Sequence, residues 1–164
     1  MIKKRELRIK EIESKLGEII DNLFIVENNL PQSFADFSKI GLIKDGIYKK
    51  IEHALENLID ICSIINSDLR LGSPETEDSI FEHLEDKDIF SKRAIELIRN
   101  MKKFRNVLVH KYGDIDDKKA YEDIKEGLPD LDIVIKEIEK FLEKHKDKKK
   151  KWLIEKDRDY FCFL

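Results

Sequence analysis

The stretch Ser91-Lys92-Arg93-Ala94-Ile95-Glu96-Leu97-Ile98-Arg99-Asn100-Met101-Lys102-Lys103-Phe104-Arg105-Asn106-Val107-Leu108-Val109-His110-Lys111-Tyr112-Gly113 decides the fold. Ala94, Leu97, Ile98, Met101, Phe104 and Leu108 recur at three and four residues, one apolar stripe at the 3.6-residue period of an α-helix. Ser91 stands where an N-cap is needed. Gly113 stands where a C′ residue can take a positive φ and stop the helix.

The same period recurs on both sides of this segment. Leu7, Leu16, Ile19, Ile20, Leu23 and Val26 predict a first long helix from Ile2 to about Glu27, broken at Asn28-Asn29-Leu30-Pro31. A connecting segment with Phe34 and Phe37 follows. Ile47, Ile51, Ala54, Leu55, Leu58, Ile61, Cys62, Ile65 and Leu69 form a stripe wide enough to touch two neighbours, so this helix is placed at the centre. Gly72 is expected to end it, with Ser73 as N-cap and Pro74 as first residue of a short helix carrying Ile80, Phe81 and Leu84. After Tyr112, Asp114, Asp116 and Asp117 can cap a helix through Tyr121 and Ile124. Gly127-Leu128-Pro129-Asp130 then interrupts it, giving one kinked helix or two consecutive ones up to Leu142. The pattern predicts an all-α, up-and-down bundle of about five helices, one domain over 1–146, with a lysine-rich extension over 147–164.

Composition narrows the functional classes. Charged residues make up 41% of the chain, but 32 Lys+Arg against 35 Asp+Glu leave a net charge of −3, so any contact with nucleic acid has to be local. Cys62 and Cys162 belong to no ligand spacing, and His53, His83 and His145 show no metal pattern, so neither a metal nor a cofactor is expected. The charged start Met1-Ile2-Lys3-Lys4-Arg5 and the lack of an apolar run of about 18 residues predict a cytoplasmic protein without a membrane span. The role of Lys148–Lys151 and of the apolar end from Trp152 to Leu164 stays open.

One segment joins a fixed cation, an amide, an imidazole and a phenol: Arg105, Asn106, His110 and Tyr112. On an ideal helix Asn106 and His110, four apart, share a face. Arg105 and Tyr112 fall nearer the core stripe, although Tyr112 sits in a last turn that can unwind. A single helix therefore cannot gather the set, whereas a two-fold contact presents it twice in one cleft. In such a cleft a neutral imidazole takes a 2′-OH proton, an imidazolium gives one to the leaving oxygen, and a guanidinium holds the phosphate. Asn106 would orient the imidazole or touch the phosphate. Set against this, Arg105 could be a structural partner of Glu56 or Asp60 on the central helix, and Tyr112 an aromatic covering the core.

The run Phe104-Arg105-Asn106 through His110-Lys111-Tyr112 resembles the R-x4-H-x-Y signature of HEPN-domain proteins, particularly HepT toxins encoded beside a small nucleotidyltransferase. Residues from roughly 5 to 145 share the helix order of that family, including the acidic stretch Ala54–Ile61. The resemblance implies a homodimeric, metal-independent endoribonuclease toxin whose Arg105, Asn106, His110 and Tyr112 line the dimer cleft. It further implies neutralisation by a minimal nucleotidyltransferase antitoxin that attaches AMP to Tyr112. The alternative is a non-catalytic, nucleotide-binding or interaction subunit of a nucleotidyltransferase complex.

Overall fold

A computed structural model describes residues 6–161, all helices and connections: α1 Ile9–Asn29, α2 Phe34–Phe37, α3 Leu42–Asp68, α4 Glu77–Asp86, α5 Lys92–His110, a 3-10 turn Tyr112–Asp114, and α6 Asp117–Phe161. Helices α1, α3, α5 and α6 form the bundle, and α4 packs against α3 and α5. The buried faces follow the periodicity: Ile12, Leu16, Ile19, Leu23 and Val26 on α1 meet Ile51, Ala54, Leu58, Ile61 and Ile65 on α3. α3 is the central helix. Its contacts with α1, α4 and α5 bury it almost all round in its second half.

The helix ends depart from the expected signals for identifiable reasons. α1 starts at Ile9: of the residues expected to precede it in the helix, Ile2 to Arg5 lie outside the described residues, and Glu6 to Arg8 stay out because the Arg8 backbone N–H (2.9 Å) and its Nε (3.0 Å) both donate to the buried Asp68 carboxylate at the far end of α3. That tie fixes the entry of the chain. α3 stops four residues before Gly72, and Arg70 takes the left-handed conformation, φ 53°. The Leu71 N–H then bonds the Asn66 carbonyl at 3.0 Å and the Arg70 N–H bonds that of Ser67, a complete Schellman closure without glycine. α4 ends the same way, with Asp88 at φ 51° and the Ile89 N–H on the Leu84 carbonyl at 2.9 Å.

Gly72 serves another purpose. A Cβ there would lie 2.5 Å from the His83 ring, so only glycine lets the backbone pass this close. Asn66 ties the arrangement together, donating to the Gly72 carbonyl at 3.0 Å and meeting His83 Nδ1 at 2.9 Å. The expected cap at Ser73 and Pro74 is replaced by Thr76, which forms a capping box with Ser79.

α6 is one continuous helix with Pro129 inside it. Pro129 removes the bond to the Lys125 carbonyl, but both residues are exposed, so that carbonyl is left on the solvent side. The helix also runs without a break across residues 146 and 147. Lys146 pairs with Glu13, Lys149 pairs with Glu6 at 2.5 Å, and Trp152 lies beside Leu7 and Ile9. Cys62 is fully buried, and burial pushes its thiol pKa up to about 12. Cys162 lies outside the described residues. Among the described residues no helix is long and apolar enough to cross a membrane.

The start of α6 is pinned to α3 by Asp117, which accepts hydrogen bonds from Lys44 Nζ (2.7 Å) and Tyr48 Oη (2.6 Å). Burial opposes the Asp117 charge, yet these two bonds outweigh it and hold the pKa below the ordinary 3.8. A carboxylate with a depressed folded pKa stabilises the protein above its unfolded pKa and loses that contribution as pH falls through the folded one. Asp117→Asn should therefore be less stable than the parent at pH 7, and urea titrations of the two should converge as pH falls below 3.8 and through the folded-state pKa. A stability gap that is constant from pH 7 to pH 2 would remove this ionic contribution.

Candidate functional site

α5 is set against the bundle at its beginning. Ser91 Oγ caps it by accepting the Ala94 N–H at 3.1 Å, while Ser91 N–H and Oγ donate to Glu137 of α6 at 2.5 and 2.6 Å. From this anchored end the buried stripe Ala94, Leu97, Ile98, Met101 and Leu108 fixes the rotation of the helix. The side chains of Arg105, Asn106 and His110 then emerge in directions the stripe dictates.

Arg105 faces α4. Its Nη2 donates to Glu77 Oε2 at 2.6 Å, and its side chain keeps only 16% exposure. Two more pairs join the same helices: Lys102 to Asp78 at 2.9 Å and Arg99 to Glu85 at 3.9 Å. The hydrogen bond from Lys102 lowers the Asp78 pKa. Glu56 and Asp60 are therefore not the partners of Arg105. Asp60 pairs with Lys15 of α1 at 3.0 Å, and Glu56 lies in the neighbourhood of Lys49. The Arg105 Nε is buried and has no hydrogen-bond partner, alone in this among the buried side-chain polar atoms of the described residues.

His110 is exposed and Asn106 half-buried. Tyr112 departs from the phase of the core stripe. α5 ends at His110, Lys111 adopts φ −120° and ψ 26°, and the 3-10 turn that follows leaves Tyr112 59% exposed. Gly113 does not take a positive φ; the closing bonds come from the Lys111 N–H to Val107 O at 3.0 Å and the Asp114 N–H to Lys111 O at 2.8 Å. The phenol comes near Lys49 of α3, whose ammonium is held above its usual pKa first by its hydrogen bond to Glu52 and, more weakly, by Glu56 and Tyr112.

A groove of about 520 Å³ opens on the other side of α5, between it, α3 and α6. Met101, Phe104 and Val107 contribute to its floor, with Lys111, Asp116 and Asp123 on its rim. None of Arg105, Asn106, His110 and Tyr112 lines it, so concavity within one subunit does not mark the candidate chemistry. His53 and His145 have local partners, Glu18 and the Phe141 carbonyl. Among the described residues no group of His, Cys, Asp and Glu is placed to hold a metal ion.

Glu77 was not visible as a site residue in the sequence. Its signal was the pair Thr76 and Ser79, which caps α4 one residue before Glu77 and so sets that carboxylate in the first helical turn opposite the end of α5.

A family model described as "Ribonuclease HepT-like" matches residues 12–138. The chain belongs to the HepT-like ribonuclease family. Solved structures with the same fold include a toxin–antitoxin bound to AMP-PNP, with TM-score 0.72, 19% identity, and coverage of 79% of this chain and 98% of that one. A tri-AMPylated Shewanella oneidensis HEPN toxin in complex with an MNT antitoxin gives TM-score 0.70, 20% identity, and coverage of 79% and 96%. The Bacillus subtilis cytosolic protein YutE, of unknown function, gives TM-score 0.72, 18% identity, and coverage of 84% and 92%. At these identities the likeness is one of fold. No curated protein matches the chain. The HepT-like signature thus sits at the free end of α5, with its cation turned toward α4 and its imidazole and phenol exposed.

Proposed function

We propose that this HepT-like protein is the toxin of a toxin–antitoxin pair, a metal-independent endoribonuclease whose active site forms in the cleft between two copies. The observation that carries the reading is angular. Five residues of helix separate Arg105 from His110 by about 140°, and Arg105 is turned toward α4 while His110 is free in solvent. A phosphate held by one copy's Arg105 is then best served by the His110 of another, which a two-fold axis supplies. Exposed Val109 adds apolar surface beside His110 for such a contact.

In that cleft a neutral His110 removes the proton from the 2′-OH, and the resulting oxygen attacks the adjacent phosphorus. The P–O5′ bond breaks, and a protonated His110 gives its proton to the leaving 5′ oxygen, so the products end in a 2′,3′-cyclic phosphate and a 5′-OH. Arg105 offsets the charge that grows on the phosphoryl oxygens. Asn106 orients the imidazole or bonds the phosphate. The test is incubation of the purified chain with labelled RNA in the presence of a chelator. Cyclic phosphate ends are expected, and activity that appears only with a nucleotidyltransferase and ATP would favour the interaction-subunit reading instead.

Tyr112 is the residue we assign to neutralisation by a nucleotidyltransferase antitoxin. Its exposure on a short turn supports access by a second enzyme, and the S. oneidensis toxin is described as tri-AMPylated. AMP on this phenol would place negative charge where RNA phosphate has to bind. After co-expression with such an antitoxin, intact-mass spectrometry should show AMP additions on the parent and none on Tyr112→Phe. An unmodified parent, or equal modification of the variant, would remove Tyr112 from this role.

A further inference from the structure

We propose that Glu77 is a positioning residue for Arg105: its carboxylate fixes one edge of the guanidinium so that the rest of it is held ready for an RNA phosphate. The inference rests on the nuclease reading above. A guanidinium has five N–H donors in a rigid fork, and the Glu77 bond of 2.6 Å to Nη2 occupies one end of it. Nε is buried, and the side chain as a whole keeps only 16% exposure. The side chain is thereby held in one place before a substrate arrives.

The sequence of α4 is arranged to hold this carboxylate still. The Thr76–Ser79 capping box fixes the first turn, the helix N-terminus favours negative charge there, and the Lys102–Asp78 pair clamps the adjacent turn. Arginine on its own samples many rotamers. A partner on a second, fixed helix selects one before the substrate arrives, which removes an ordering cost from the catalytic step.

The alternative effect of a nearby carboxylate has the opposite sign. If Glu77 only neutralised Arg105, its removal would free the cation, tighten RNA binding and raise turnover. Kinetics on Glu77→Ala and Glu77→Gln separate the two. We expect kcat to fall about 10- to 100-fold with KM for RNA unchanged or lower. Guanidinium ion should restore cleavage to Arg105→Ala and fail to do so in the Arg105→Ala/Glu77→Ala double variant. A kcat at or above that of the parent, or rescue independent of Glu77, overturns the proposal while leaving the nuclease reading intact. Absence of RNA cleavage by the parent sinks the nuclease reading instead. For that case the Arg105 Nε–H resonance is followed during titration with a 2′-O-methyl oligoribonucleotide, which cannot be cut. A saturating shift in the parent that is lost in Glu77→Ala supports positioning, and the same response in both proteins overturns it.

Discussion

His110→Ala and Arg105→Ala are each expected to lower RNA cleavage by about 10²- to 10⁴-fold, the range for removing a general acid–base or a charge-stabilising donor. His110 is exposed at the end of α5, so its loss should leave the melting temperature unchanged within error. Arg105 is different: it is mostly buried and bonded to Glu77, and its truncation also removes a tie between α4 and α5. Arg105→Lys keeps the charge and the tie to Glu77 but loses the fork that grips phosphate on two sides, so it should fold like the parent and still be impaired. Cleavage at the parent's rate by His110→Ala or by the folded Arg105→Lys would show that the catalytic groups lie elsewhere.

The largest stability loss is expected from Phe37→Ala. Phe37 belongs to a helix of only four residues, yet it is fully buried, with its ring 5.0 Å from that of Tyr121 and 5.9 Å from that of Tyr48. Neither neighbour is free to fill a void: Tyr121 Oη is tied to the Pro31 carbonyl at 2.7 Å, and Tyr48 Oη to Asp117 at 2.6 Å. A cavity that cannot collapse puts the cost at about 3–5 kcal/mol, equivalent to roughly 6–20 °C in Tm for a chain of this size. Phe37→Leu should lose much less. Equal, small losses in both variants, measured by urea unfolding, would show that this aromatic cluster is looser than its geometry implies.

The residues differ in how much of their structure the sequence discloses. Ile51, Ala54, Leu58, Ile61 and Ile65 announce α3 because burial on one face is a periodic demand, and the fold class follows from several such stripes. The ends of helices obey tertiary contacts instead. Arg70 and Asp88, not Gly72 or Gly113, take the left-handed positions, and the Arg8–Asp68 tie sets the start of α1. Tyr112 illustrates the consequence for the site: extended from the stripe it points to the core, but a helix that ends two residues earlier turns it outward. The motif itself was readable from Arg105, Asn106, His110 and Tyr112. Glu77 was not, because its meeting with Arg105 depends on how α4 and α5 pack, and no local pattern encodes that distance.

The central claim is that Arg105 of one copy works with His110 of another, and complementation tests it most directly. Arg105→Ala and His110→Ala subunits, each inactive alone, are mixed, unfolded and refolded together so that dimers form at random. Half of the dimers then pair one subunit of each kind, and each of these carries one intact composite site out of two, so about a quarter of the parent's cleavage should return. A mixture as inactive as its components would contradict a shared cleft.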